Sequence, residues 1–378
     1  MLYEAPELGP DEQRVADQID DLKAKLKLQL HEPRRWSGSL RRLTLARNIQ
    51  GSNSIEGFTA ALDDAAAIAL GEEPMDASVE TGHALAGYRD AMTYVLQLAA
   101  DQDFEYSTQL LKSLHFMMAH YSLANRPGRW RQGAIYVHDE ESGEIVHEGA
   151  DIDEVNDLMR ALADGLNRHE SSPVVAAGMA HLNLVMIHPF RDGNGRMARC
   201  LQSLVLARGG VLSPVFMSIE EYLGKNTAEY YRVLGEVGGG SWQPERSARP
   251  WIRFVLKAHL RQAGTVRQRV RDAELLWSKL TTLVSADDRA IMALFDAAMG
   301  MRIRRSTYIA MVSDLGEQIS DQTASRDLKA LCDAGWLEPR GERRGRHYVA
   351  GAPVVELRRS VVKARSPRED RDPFEPPV

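Results

Sequence analysis

The residues best suited to chemistry in this 378-residue chain lie in one stretch, HPFRDGNGRMAR, at positions 188–199. His188 has an unperturbed pKa of about 6.5, which suits a general base at neutral pH. Asp192 is a hard oxygen ligand of the kind that Mg²⁺ prefers. Arg196 and Arg199 lie three residues apart, so both can project from the first turn of one helix onto phosphate oxygens.

The residues between these groups predict a phosphate cradle. Pro189 ends the preceding helix, and Phe190 can anchor the loop to the core. Gly193 and Gly195 permit positive φ and close backbone approach, and Asn194 is expected to cap the helix that begins there. Backbone N–H groups at a glycine-rich turn that opens a helix bind anions. The stretch therefore predicts phosphoryl- or nucleotidyl-transfer chemistry.

Helical periodicity dominates the rest of the chain and predicts a mainly α-helical protein. The predicted helices that position the motifs cover residues 37–53, 107–121, 173–187, 195–208, 227–237 and 250–280. Between positions 133 and 149, AIYVH and EIVHE alternate apolar and polar residues around a turn, which predicts a β-hairpin. Its histidines, His138 and His147, are interpreted as surface residues that face each other across the hairpin.

The C-terminal part of the chain has the element order of a winged helix. Short helices are predicted at 289–299, 305–315 and 321–334, followed by a strand, a basic turn and a second strand. The turn carries four arginines against one glutamate, whereas the candidate recognition helix, taken as residues 321–332, has no net charge. This basic footprint is local and modest, so DNA binding is only weakly supported and protein docking is an equal alternative.

Composition excludes several classes of protein. With 44% hydrophobic and 26% charged residues the chain can form packed domains, and a formal charge of −6 argues against constitutive binding to nucleic acid or anionic membrane. Cys200 and Cys332 fit neither a disulfide framework nor a cysteine-based zinc site. The N-terminus lacks secretory-signal features, and no apolar run approaches the roughly 20 residues of a membrane span. A cytoplasmic location is expected.

The loop at 188–199 resembles the signature of Fic-domain proteins, H-x-F-x-[D/E]-G-N-G-R-x-x-R, at all eight fixed positions. SNSIEG, at 52–57, resembles the inhibitory motif [S/T]-x-x-x-E-[G/N] of the subclass whose inhibitory helix precedes the core. The resemblance covers about residues 36–260. It implies a mainly α fold, a Fic-type helical bundle with a β-hairpin flap, here followed by the winged helix.

The resemblance implies an auto-inhibited protein adenylyltransferase, which transfers AMP from ATP to a Ser, Thr or Tyr hydroxyl of a target protein and of itself. His188 would be the base and Asp192 would hold Mg²⁺. Arg196 would bind the β-phosphate and Arg199 the γ-phosphate. The anion hole would be lined by Gly193, Asn194 and Gly195.

The remaining site residues also follow from the resemblance. The inhibitory motif would consist of Ser52, Glu56 and Gly57, with the carboxylate of Glu56 against Arg199. The flap that lays a target segment beside the loop by strand addition would contain Ile135, Tyr136, Val137, Ile145 and Val146. Tyr230 and Tyr231 fall where similar proteins place adenine-pocket aromatics, although a core helix explains them equally well.

The expected domains are an N-terminal helical region with the inhibitory motif (1–100), a Fic core (101–280), a winged helix (281–352) and a flexible tail (353–378). Two alternative functions remain open. The loop could remove AMP, with Glu56 orienting water, or use another nucleotide donor. Alternatively, the core could sense a nucleotide for a DNA-reading transcriptional regulator, although intact His188 and Arg199 argue against a degenerate sensor. The target protein is not predicted, and a homodimer is left open as a partner.

Overall fold

A computed structural model describes residues 1–31, 34–139, 142–168, 172–210, 214–285, 288–366 and 371–375. The helices are α1 (Pro10–His31), α2 (Ser37–Ser54), α3 (Leu62–Ala69), α4 (Val79–Leu98), α5 (Thr108–Ala119), α6 (Val155–Asn167), α7 (Pro173–Ile187), α8 (Asn194–Arg208), α9 (Pro214–Met217), α10 (Glu220–Lys225), α11 (Thr227–Gly238), α12 (Arg249–Leu280), α13 (Ile291–Ala298), α14 (Arg305–Asp314), α15 (Asp321–Asp333) and α16 (Ala352–Lys363). Two antiparallel hairpins are formed by β1 (Tyr136–His138) with β2 (Ile145–Glu148) and by β3 (Leu337–Arg340) with β4 (His347–Ala350). The mainly α fold is thus confirmed. Within the ranges described, no helix has both the length and the apolar character needed to cross a membrane.

Helices α7 and α8 form the centre of the molecule. Nearly every residue of both is buried, and α7 is apolar on all sides, as expected of a core helix. Its start is set by Pro173 and by Ser172, whose hydroxyl accepts the N–H of Val175 at 3.4 Å. The loop at 188–193 joins these two rigid helices, so its residues are positioned by the core.

Helix α2 is held against α10 by two glycines. A Cβ on Gly51 would lie 2.6 Å from the carbonyl oxygen of Glu220, and one on Gly224 would lie 2.7 Å from that of Gly51. Only glycine permits this backbone approach. Beneath it, the buried carboxylate of Glu220 accepts hydrogen bonds from Tyr88 (2.7 Å) and Ser203 (3.0 Å), and burial raises its pKa. The end of α2, where the predicted inhibitory motif lies, is therefore fixed.

The C-terminal region follows the predicted order of three helices (α13, α14 and α15) and a hairpin, while its assignment as a winged helix stays a prediction. It contacts the N-terminal region through ion pairs, including Arg42 with Asp296 at 2.7 Å and Arg302 with Asp76 at 2.7 Å. The prediction of a flexible tail from residue 353 is wrong for α16. Val354 and Val361, two helical turns apart, are buried there, because the apolar side of this helix packs against the rest of the protein.

Candidate active site

The loop between α7 and α8 has two residues in the left-handed region. His188, at the end of α7, has φ 55° and ψ 58°, and Gly193, which caps α8, has φ 76° and ψ 14°. The prediction that Asn194 caps α8 is wrong, because its side chain is hydrogen-bonded to the backbone of Phe190 instead. Its Oδ1 accepts the N–H of Phe190 and its Nδ2 donates to the carbonyl of Phe190, both at 2.8 Å. Asn194 thus closes the loop, while Phe190 is fully buried as expected.

One ring nitrogen of His188 is hydrogen-bonded, and the other has no hydrogen-bond partner within the described residues. Nδ1 lies 3.0 Å from the carbonyl oxygen of Val185, so it carries the proton and donates to that oxygen. Nε2 is then the unprotonated, basic nitrogen. Burial, partly offset by this hydrogen bond, lowers the pKa of His188 to about 4. The imidazole is therefore neutral at pH 7, which is the state a general base requires.

Asp192 lies at the mouth of the loop with its side chain 42% exposed. Its carboxylate accepts hydrogen bonds from Asn125 (2.9 Å) and from the N–H of Gly193 (2.7 Å), and it lies 3.7 Å from the guanidinium of Arg196. Arg196 itself is buried and donates to the hydroxyl of Tyr121 at 3.1 Å. A carboxylate and a guanidinium are therefore held side by side at the start of α8.

Arg199 is bound by the predicted inhibitory motif. Its Nη2 donates to the Oε1 of Glu56 at 2.6 Å and to the carbonyl of Ser52 at 2.9 Å, and its Nε donates to the hydroxyl of Ser52 at 2.8 Å. Burial lowers the pKa of Arg199, but the charge of Glu56, the hydroxyls of Tyr230 and Tyr88 and the hydrogen bond to Glu56 together outweigh it and raise the pKa. Gly57 has φ 82° and turns the chain away after Glu56. The contact expected between Glu56 and Arg199 is thus present.

The carboxylate of Glu56 occupies the N-terminus of α8. A Cβ on Gly195 would collide with the Oε1 of Glu56 and would lie 3.1 Å from the Nη1 of Arg199. Among the residues that the structure describes, this Nη1 has no hydrogen-bond partner although it is buried. A helix N-terminus attracts negative charge through its free N–H groups and its dipole. Glu56 therefore lies where the sequence predicts phosphate.

His115 is a residue of this site that sequence reasoning missed. Its Nδ1 accepts the N–H of Gly128 and its Nε2 donates to the carbonyl of Asp192, both at 2.9 Å. The ring stacks on Phe190 at 3.7 Å between centroids, and burial lowers its pKa to about 4. In the sequence His115 is one of several polar residues on its helix, and nothing there links it to a loop 77 positions away.

The predicted flap is the β1–β2 hairpin, whose tip at 140–141 lies outside the described residues. Three of its apolar side chains are roughly half exposed, Tyr136 (45%), Ile145 (56%) and Val146 (45%). The other two, Ile135 and Val137, are partly buried.

The interpretation of the hairpin histidines is wrong in one respect. His147 is paired with Val137, not His138, in the β1–β2 register. Its Nε2 donates to the carbonyl of Met186 at 2.8 Å, and its ring centroid lies 6.3 Å from that of His188. The flap is therefore fastened beside the candidate base.

The two tyrosines of α11 have different surroundings. Tyr230 is 1% exposed, and its hydroxyl donates at 2.9 Å to the Nε2 of the buried His181. This environment favours the core interpretation for Tyr230. Tyr231 is 49% exposed, and its hydroxyl donates to the carbonyl of Ile55, beside Glu56, at 3.3 Å. The adenine-contact prediction therefore rests on Tyr231.

Comparison with known proteins assigns the segment that holds this loop. The model of the Fic/DOC family matches residues 105–206. The chain is 27% identical over 215 residues to protein adenylyltransferase Fic of Nematostella vectensis, covering 56% of this chain and 46% of that protein. It is 36% identical over 106 residues to protein adenylyltransferase fic-1 of Caenorhabditis elegans, covering 27% and 18%. The chain therefore spans less than half the length of these relatives.

Solved structures share the fold. A Fic family protein from Desulfovibrio desulfuricans G20 superimposes with a TM-score of 0.60 at 23% identity, covering 93% of this chain and 99% of that one. The C. elegans Fic-1 structure gives a TM-score of 0.54 at 23% identity, covering 69% and 73%. Fold, loop and family match agree: the chain carries a domain of the Fic family.

Proposed function

We propose that this protein is an auto-inhibited protein adenylyltransferase, which transfers AMP from ATP to a hydroxyl of a target protein and of itself. The observation that carries the proposal is the ion pair of Glu56 with Arg199, formed next to a neutral His188 whose Nε2 is unprotonated. The names of the relatives support the reaction class. Ser, Thr and Tyr hydroxyls of the target are the expected acceptors.

The chemistry follows from the roles of the loop residues. Nε2 of His188 accepts the proton of the target hydroxyl as its oxygen attacks the α-phosphorus of ATP. The P–O bond to the β-phosphate breaks, so pyrophosphate leaves and AMP stays on the target. Backbone N–H groups of Gly193, Asn194 and Gly195 stabilise the negative charge that develops. Arg196 binds the β-phosphate and Arg199 the γ-phosphate.

Asp192 fits the predicted Mg²⁺ site. Mg²⁺ is usually bound by one or two carboxylates together with substrate phosphates and water. Asp192 is such a carboxylate: it is 42% exposed, faces the cradle and is held by Asn125 at 2.9 Å. When bound, the ion would neutralise part of the triphosphate charge.

Inhibition follows from competition for one guanidinium. The carboxylate of Glu56 is bonded to Nη2 of Arg199 and lies against Gly195, where the γ-phosphate would bind the same guanidinium, so the two anions exclude each other. ATP can still bind through its other contacts, but its triphosphate is then turned away from the in-line geometry that attack requires. Glu56 therefore lowers the rate of transfer without needing to lower ATP affinity.

The decisive experiment measures incorporation of α-labelled ATP into the protein at saturating ATP. We expect Glu56→Gly to raise incorporation at least tenfold over wild type, and Glu56→Asp, with one methylene less reach, to fall between them. Arg199→Ala should not restore activity, because it also removes the γ-phosphate contact. Glu73→Gly, an exposed glutamate outside the site, is the matched control.

Two results would contradict the proposal. If Glu56→Gly incorporates no more label than wild type and the Glu73→Gly control, Glu56 is not inhibitory. If wild type releases AMP from pre-labelled protein faster than Glu56→Gly does, removal of AMP with Glu56 orienting water replaces transfer as the function.

A further inference from the structure

We propose that Arg131 is a positioning residue that couples the flap to His188. Its one guanidinium binds the backbone at both ends of the hairpin and the backbone carbonyl of His188. This inference rests on the proposed function for its effect on the reaction, but the contacts themselves do not depend on it. Arg131 does not reach the phosphate cradle. It acts through the backbone of other residues.

The guanidinium of Arg131 donates only to backbone carbonyls in the described part of the chain. Its Nε donates to the oxygen of His188 at 2.8 Å and its Nη1 to that of Gly133 at 2.6 Å, and its Nη2 donates to the oxygen of Ala150. Gly133 lies before β1 and Ala150 lies after β2. One side chain, 7% exposed, therefore ties the two ends of the flap to the candidate base.

Backbone hydrogen bonds hold two of these residues, His188 and Ala150, close to Arg131. The N–H of Arg131 donates to the oxygen of Pro189 at 2.9 Å, and the N–H of Ala150 donates to that of Ile187 at 3.2 Å. Gly149 has no room for a side chain, since a Cβ would lie 3.0 Å from the Cβ of His188. The end of the hairpin at Gly149 is thus packed directly against His188, the candidate general base.

His188 needs such support because its backbone is strained. The left-handed region is unfavourable for a residue with a side chain, and His188 lies in it with φ 55°. The bond from Arg131 to its carbonyl stabilises this conformation, which sets the direction of the imidazole. A movement of either flap end is therefore transmitted to the ring that must meet the target hydroxyl.

Lysine cannot replace this function. An ammonium is a point charge on a flexible stem, whereas the rigid fork of arginine directs separate N–H groups at three acceptors. Arg131→Lys therefore keeps the charge and most of the volume while losing the geometry. It is the sharpest variant, and Arg131→Met removes the charge as well.

The first test does not require activity. Amide hydrogen exchange in the full chain should be at least tenfold faster around residues 133, 150 and 188–190 in Arg131→Lys than in wild type. Arg129→Lys, an exposed arginine two residues earlier, is the matched control and should leave exchange unchanged. Unchanged exchange in Arg131→Lys overturns the proposal. So does global unfolding of both Arg131 variants, which would make the role purely structural.

The second test uses self-modification in the Glu56→Gly background. We expect Arg131→Lys to lower kcat about tenfold or more while the KM for ATP stays within twofold, because Arg131 touches no part of the predicted nucleotide site. A parallel loss of ATP binding would instead show damage to the whole site and overturn the positioning role. If Glu56→Gly itself transfers no AMP, the proposed function fails, whereas the exchange experiment still decides on Arg131.

Discussion

The loop at 188–199 and the β1–β2 hairpin lie side by side but are built in opposite ways. In the loop, side chains such as Asn194 and Arg199 are buried and bonded to specific partners. In the hairpin, apolar side chains such as Tyr136 and Ile145 are about half exposed, and most of the fixed contacts are made by the backbone. A buried network fixes one chemistry, whereas an open strand edge accepts many partner sequences.

The difference teaches where each kind of substitution should act. Changes in the loop should alter the rate or the fold itself, because they leave buried polar groups without partners. Changes of the exposed apolar side chains on the hairpin should alter only how well a target binds. The following predictions test this contrast.

The largest effect is expected for His188→Ala in the Glu56→Gly background. Removal of a general base should lower the rate of AMP transfer about 10²- to 10⁴-fold, while ATP binding measured by calorimetry stays within twofold. His138→Ala, on the exposed side of the hairpin, is the control and should transfer AMP normally. Near-normal transfer by His188→Ala would show that the loop does not supply the base.

The free energy of unfolding should depend on pH through His188. The pKa of His188 is about 4 in the folded protein, below the unfolded value of about 6.5, so the unfolded chain binds a proton that the folded one does not. The contribution of His188 to the free energy of unfolding is therefore fully present above about pH 6.5 and is lost as the pH falls toward 4. Denaturant unfolding from pH 8 to 4 should show a smaller loss for His188→Ala than for wild type. Equal losses would contradict the low pKa.

Asn194→Ala should destabilise the fold more than a comparable change in the hairpin. It leaves the buried N–H and C=O of Phe190 unpaired, which should cost about 2–4 kcal/mol in the free energy of unfolding. Ser142→Ala, in the exposed hairpin turn, should cost less than about 0.5 kcal/mol. Urea unfolding of both variants gives the two values, and similar values would remove the contrast.

Substitution of the exposed flap residues should act on target binding alone. Tyr136→Ser with Ile145→Ser removes two apolar contacts, each of about 1 kcal/mol, so we expect the KM for the target to rise about thirtyfold. Thermal unfolding and ATP affinity should be unchanged. A fall in kcat with constant KM would place these side chains in the chemistry instead.

The smallest effect is expected from the C-terminal hairpin. Its basic turn follows the candidate recognition helix, whose residues 321–332 carry no net charge. The Kd for duplex DNA at physiological salt should therefore be about 10⁻⁶ M or weaker, and binding should vanish as salt is raised. A gel-shift series in salt measures this. Tight, sequence-selective binding would favour the transcriptional regulator over the enzyme.

The parts of the site that could be predicted are those encoded locally. His188, Asp192 and the two arginines lie within twelve consecutive residues, and the helices on either side follow from periodicity. The role of Asn194 could not be predicted, because a side-chain amide can either cap a helix or close a loop. Sequence spacing does not distinguish these two roles.

What could not be predicted depends on contacts between distant segments. His115, Arg131 and His147 reach the loop from three other elements, and their individual residue types carry no sign of it. Helix α16 was missed because prolines and charges mask a short apolar stripe. Only packing against α12 and α13 reveals that it is buried.

The close contact of Gly51 with Gly224 has a consequence for how the proposed inhibition responds to concentration. Glu56 and Arg199 lie 143 residues apart in one chain. The contact of Gly51 in α2 with Gly224 in α10 nevertheless keeps the carboxylate of Glu56 tethered beside Arg199. A tethered group acts at an effective concentration on the order of millimolar or more, whatever the amount of protein. Dilution, growth or changes in expression therefore leave the repressed fraction constant. Only a change that shifts the end of α2 or removes the carboxylate alters it.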